Sequence, residues 1–184
     1  MNKRETTLSG TIVCVAVMFF TSISASKALE APLPVRENPR PQTTNGVPHI
    51  QIGIEINQPL ADELLRFVSS FPGVTLGPTR VSLPGAIGFQ LDRNFEIARP
   101  GSIVGGFEFA HMHPDGSLHA SLDPKVAKAA VEAGWAISHP WAMRRPGWEG
   151  FVMIYTPTTE RELEVVSLLV QRSYEYIVGK PARQ

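Results

Sequence analysis

The chain has 184 residues and a mass of 20.1 kDa, with 43% apolar and 18% charged residues. That is enough for one globular domain with a single core plus a short appendage. Lys+Arg and Asp+Glu are both 17, which excludes a nucleic-acid binder working through a broad basic surface. Cys14 is the one cysteine, so intrachain disulfides, zinc ribbons and iron–sulfur centres are excluded too.

Lys3 and Arg4 precede an apolar run from Ile12 to Phe20, and Ser26-Lys27-Ala28 follows with the small residues a signal peptidase reads. Residues 1–28 are expected to be a signal peptide, cleaved before Leu29. The alternative is an uncleaved anchor through Leu8 to Ala25, weakened by Thr11, Thr21, Ser22 and Ser24. Either way the domain is expected outside the cytoplasm, periplasmic or extracellular, touching a membrane only if the segment stays attached. Residues 29–48 contain five prolines and almost no apolar periodicity, which reads as a linker. The domain is expected over 49–180.

Ile50, Ile52, Ile54 and Ile56 alternate with Gln51, Gly53 and Glu55, which predicts a strand with one buried face. Pro59 opens a helix carrying Leu60, Leu64, Phe67, Val68 and Phe71, and Pro72-Gly73 ends it. Val74 to Asp92 reads as strand broken at Gly77-Pro78 and Pro84-Gly85, and Ile103 to His111 as a further strand. Asp123-Pro124 caps a second helix that stops at Gly134. Phe151 to Tyr155 is a compact apolar strand. Thr159 and Glu162 form a capping box for a long last helix ending at Gly179. The order predicts an α+β fold: a mostly antiparallel sheet packed with about three helices, in a single compact domain.

Four of the five histidines, His111, His113, His119 and His139, lie between positions 111 and 139. Two residues apart on a strand, His111 and His113 share a face. Pro114 to Leu118 is rich in turn formers, so a hairpin would bring His119 across from them. Neutral imidazoles so placed could act as general base and acid near pH 7. Alternatively, His111, His113 and His119 could bind a transition metal. Glu108 has opposite parity from the pair and is expected on the other, exposed face. Asp115 reads as a turn residue. Trp135 and Tyr155 are candidate pocket walls. There is no Gly-x-Ser-x-Gly elbow, phosphate loop, dinucleotide fingerprint or His-Glu-x-x-His.

The run Glu108 to His119 (EFAHMHPDGSLH), with Gly134-Trp135-Ala136-Ile137-Ser138-His139-Pro140, Met153-Ile154-Tyr155-Thr156-Pro157 and Glu162 to Val166, resembles the luciferase-like domain family. The likeness covers roughly residues 60–178. That family includes fungal luciferases, which oxidise a hydroxylated styryl-pyrone with O₂ and need no added organic cofactor. Two departures stand out. Ala136-Ile137 replace the family's usual Gly-Glu/Gln, and Thr158 stands where an arginine is usual, so light emission is not implied. The resemblance implies an oxidative enzyme in which His111, His113, His119 and His139 assist reaction of an enolic or phenolic small molecule with O₂ as co-substrate. The alternatives are a metal-dependent enzyme and a non-enzymatic module binding a small molecule.

Overall fold

The computed structural model describes residues 32–182, so the expected signal segment lies outside the described residues. Among them, six strands form one antiparallel sheet: β3 (Val74–Pro78), β4 (Ile87–Leu91), β5 (Glu108–Met112), β6 (Leu118–Ser121), β8 (Phe151–Ile154) and β7 (Ala136–Ser138), in that spatial order. Three α-helices accompany it: α1 (Gln58–Ser69), α2 (Pro124–Glu132) and α3 (Glu160–Val178). The α+β fold expected from the alternation of patterns is the fold found. None of these helices is long and apolar enough to cross a membrane.

The second and third helices start where their caps predict, and the first starts one residue before Pro59. The side chains of Asn57, Asp123 and Thr159 accept from the backbone N–H of Leu60, Lys125 and Glu162. Gly179 closes α3 with φ 75°, a left-handed angle that a side chain would strain. One face of the sheet, with Phe89, Phe109, Ala110, Met112 and Ala120, packs into a core with Leu64 and Val68 of α1 and Leu169 and Tyr174 of α3. Tyr174 also donates from its hydroxyl to the Pro72 carbonyl at 2.8 Å, tying α3 to the end of α1.

Two strand expectations are corrected. The isoleucine alternation does not make a half-buried strand: pairing is limited to Gln51–Ile52 (β2) against Gln42–Thr43 (β1), with Gln51 buried and Ile52 52% exposed. The parity is inverted because the Gln51 amide satisfies both the backbone N–H and the hydroxyl of Thr156, at 3.1 and 2.8 Å. Those paired bonds outweigh the burial of one isoleucine. The strand expected from Ile103 begins only at Glu108. Gly106, at φ 60°, turns the chain just before it, and Phe107 is 38% exposed.

Residues 32–48 run against the domain. The Pro34 carbonyl accepts from the Trp135 indole at 2.6 Å, and the buried Arg36 pairs with Glu162 at 2.9 Å. Glu162 therefore does not complete the expected capping box, because its carboxylate is taken by Arg36, Asn38 and Thr158. Burial alone would raise this carboxyl, but those donors outweigh it and lower it to about 2. A folded value below the ~4.3 of an unfolded glutamate gives stability that is present above that pH and lost as pH falls towards 2. Arg36→Ala should lower stability at pH 7 and flatten its fall between pH 5 and 2. Urea denaturation checks this; identical pH profiles for variant and wild type would contradict it.

Candidate functional site: a five-histidine cavity

The hairpin forms as its turn residues predict. β5 and β6 pair with Ala110 opposite Ala120 and His111 opposite His119. Gly116 takes φ 83°, and Asp115 Oδ1 accepts from the Ser117 backbone at 2.9 Å. His111 Nε2 and His119 Nδ1 lie 3.1 Å apart. His113, just beyond β5, stands over the same face, its ring 4.5 Å from that of His119. His139 comes from the end of β7 and stacks edge-on to His119, also at 4.5 Å. The four histidines singled out in the sequence thus meet around His119.

The fifth histidine joins them. His49 Nδ1 is 3.3 Å from His119 Nε2, and its ring is 5.0 Å from that of His139. Sequence reasoning passed over it because it is remote from the others and sits at the edge of a proline-rich stretch. The available signal was that it is the last histidine left over. The Gln51–Thr156 bonds, by docking β2 onto the hairpin turn, carry His49 into place.

Glu108 was expected to face away; it faces the histidines. The register between β4 and β5 shifts after Phe89: Phe89 pairs with Ala110, but Gln90 pairs with Glu108. Phe109 is the extra residue of a β-bulge, and one extra residue inverts the parity of everything before it. Phe109 then turns into the core and Glu108 onto the histidine face, buried to 5% exposure. Its Oε1 lies 2.8 Å from His111 Nδ1 and 2.8 Å from the Thr79 hydroxyl, and Oε2 accepts from the Arg80 backbone at 3.2 Å. Gly88, opposite His111, makes room, since a Cβ there would come 2.5 Å from Glu108 Oε2.

The rings line a cavity of about 280 Å³, walled by Val47, Pro48, Val81, Leu83, Val104, Trp141 and Phe151. Trp135 and Tyr155, the expected walls, are elsewhere: they flank the Arg36 guanidinium, at 5.8 and 5.5 Å from the ring centres. Trp141, two residues past His139, supplies the aromatic wall instead. Thr158, the departure from the family's arginine, bonds Glu162 and is not a cavity residue.

Burial disfavours the charged form of these rings, and each neighbouring imidazole adds to that. His49 is lowered by burial. His113 is lowered to about 4 by burial and the nearby His111, with Asp115 opposing. His119 is held well below the usual range, and His139 is lowered to about 3. At neutral pH these four are uncharged. Their hydrogen bonds assign the protons. Ser117 donates its hydroxyl proton to Asp115 at 2.7 Å, so His113 Nδ1–H donates to Ser117 at 3.0 Å and His113 Nε2 keeps its lone pair. The Trp141 backbone N–H donates to His139 Nδ1 at 3.0 Å, so His139 carries its proton on Nε2. Among the described residues, His49, His113 and His139 have no partner at Nε2, and these atoms are not sealed from the cavity. The cavity is therefore offered acceptors and a donor together.

Two trios have nitrogens close enough to share a metal ion: His111, His113 and His119, and His49, His119 and His139. In the first, an ion would have to replace the proton held between His111 Nε2 and His119 Nδ1. In the second, the backbone donor at His139 Nδ1 leaves Nε2 protonated and unable to ligate.

Residues 106–173 match the family model described as Luciferase domain. The chain is similar to the luciferases of Armillaria gallica and Armillaria mellea, 38% identical over 81 residues, and to the luciferase of Neonothopanus nambi, 36% identical over the same length. The aligned stretch is 41% of this chain and 30% of each relative, so the chain spans less than a third of those proteins. No solved structure matches it.

Two outcomes follow from the buried cluster. Folded values below the ~6.5 of an unfolded histidine mean that the unfolded chain binds more protons below that pH. Stability present above it should therefore fall as pH drops from 6.5 towards 4, with a shallower fall in His139→Gln. Urea midpoints at pH 7.5, 6 and 5 test this, and a flat profile would contradict it. Gly88→Ala should displace the Glu108 carboxylate and cost about 1–3 kcal/mol, read by the same method; an unchanged midpoint would show that the carboxylate has room to move.

Proposed function

With a luciferase-like domain at residues 106–173, we propose that the protein is an oxidative enzyme that deprotonates an enolic or phenolic small molecule so that the anion reacts with O₂. The observation that carries this reading is the opening of unprotonated imidazole nitrogens, beside one protonated nitrogen, onto a single apolar-walled cavity. An uncharged imidazole can take a hydroxyl proton near pH 7. The resulting enolate is electron-rich. Its carbon forms a bond to O₂, the O₂ is reduced to a peroxide, and the abstracted proton returns to the peroxide oxygen, leaving a hydroperoxide with no external reductant. The His139 Nε2–H is the donor placed to stabilise the developing oxyanion. A volume of about 280 Å³ is at the small end of ligand sites and suits one or two fused rings. Light emission is not part of the proposal. Export is, and it rests on residues 1–28 alone.

The test is O₂ uptake by the purified protein with a 4-hydroxy-2-pyrone or a catechol as substrate. Wild type should consume O₂ with saturation kinetics, and the double variant His49→Ala/His113→Ala, which removes both candidate bases from the cavity, should lose about 100-fold in kcat/KM, the usual contribution of a positioned base. Equal uptake by both proteins would remove the proposal. Binding without uptake by either would favour a binding module.

A further inference from the structure

Glu108 and His49, neither of them expected in the site, are the two ends of one hydrogen-bonded chain. Three donors converge on the Glu108 oxygens: the Thr79 hydroxyl, the Arg80 backbone and His111 Nδ1. The His111 proton toward Glu108 is thus on Nδ1, and His111 Nε2 faces His119 Nδ1 at 3.1 Å. With Nε2 as acceptor, His119 must donate from Nδ1. His119 Nε2 is then bare and accepts from His49 Nδ1 at 3.3 Å. The last atom, His49 Nε2, opens to the cavity as a lone pair. While His111 holds a single proton, the carboxylate at one end fixes the direction of every proton in the chain.

We propose that His49, His119, His111 and Glu108 form a directional proton relay, in which His49 Nε2 takes the proton of the substrate and the charge comes to rest on His111 against Glu108. This rests on the base-assisted reading above and names the base. Two transfers complete it. His49 passes its Nδ1 proton to His119 Nε2, and His119 passes its Nδ1 proton to His111 Nε2. In each, one N–H bond breaks and one forms, and no electrons change hands. The end state has His49 and His119 both protonated on Nε2, and His111 protonated on both nitrogens beside the carboxylate. The surroundings favour that direction. Arg144 stands near His139, at the far end from Glu108. His113 and His139 face the middle of the chain as uncharged rings, and Asp115 is screened behind Ser117. Glu108 is the carboxylate in direct contact with the chain. It acts through His111 and is a positioning residue, whereas His49 would touch the substrate.

The relay is read without any substrate, so its failure is separable from failure of the O₂-uptake assay. Long-range ¹H–¹⁵N correlation spectra of the full chain, ¹⁵N-labelled at histidine and purified in chelator, report which ring nitrogen carries each proton. At neutral pH, His111, His119 and His49 should all be protonated on Nδ1 and His139 on Nε2. On acidification the first proton should switch His119 and His49 to the Nε2 form together. In Glu108→Gln that switch should move down by about one pH unit or more, a tenfold weaker hold on the proton. Three results would overturn the relay: His119 protonated on Nε2 at neutral pH, His49 protonating alone while His119 keeps its tautomer, or a switch unmoved in Glu108→Gln. A spectrum that changes when a transition metal is added back stoichiometrically would overturn it as well. The wild-type spectrum decides the direction of the chain even if the variant does not fold.

Discussion

The contact between Glu108 and His111 is the constraint on which the site depends, and a single extra residue in a strand creates it. Without the bulge at Phe109, Glu108 would point into the apolar core, where a carboxyl without partners costs several kcal/mol. With it, the phenyl ring of Phe109 fills the core against Phe89 and Tyr174, and the carboxylate turns to the opposite face. The strands on either side accommodate the change. Gly88 leaves the space the carboxylate occupies, and the loop after β3 offers Thr79 and the Arg80 backbone as donors. The same loop supplies Val81 and Leu83 as cavity walls, so one carboxylate holds both the innermost histidine and part of the enclosure.

Burying five imidazoles together is tolerable only because most of them are uncharged. Desolvation and mutual repulsion would act on any charge placed among them, and the lowered values of His49, His113, His119 and His139 express that cost. An uncharged imidazole still needs one donor and one acceptor satisfied. The cluster meets this with its own members, with Ser117 and Asp115 behind His113, and with a backbone N–H behind His139. What remains unsatisfied faces the cavity. That distribution separates a site from a core: the structural partners lie behind the rings, and the free nitrogens lie in front.

The sheet, the helices and the hairpin were legible in the sequence because each is written in local terms. Short apolar runs, helical spacing, Asp123-Pro124, Thr159 and the turn at Asp115-Gly116 specify structure over a few residues. The resemblance to luciferase-like domains was legible for the same reason, through short ordered motifs. The residues that escaped are those whose position depends on distant partners. Parity counted along Glu108 to His113 fails because a bulge belongs to a pair of strands. Gln51 displaces Ile52 from the interior because its amide meets Thr156, a hundred positions away. Trp135 and Tyr155, reasonable aromatic walls by proximity to His139 and the β8 strand, are drawn to Arg36 from a stretch that read as linker. His49 arrives with that same stretch.

A crystal structure of the protein soaked with a 4-hydroxy-2-pyrone under anaerobic conditions decides whether the five-histidine cavity holds the substrate. The ring should sit between Trp141 and Phe151, with its hydroxyl oxygen within hydrogen-bond distance of His49 Nε2 and the His139 Nε2–H. Density for a metal ion among the imidazoles, or a ligand bound away from them with the cavity closed, would contradict it.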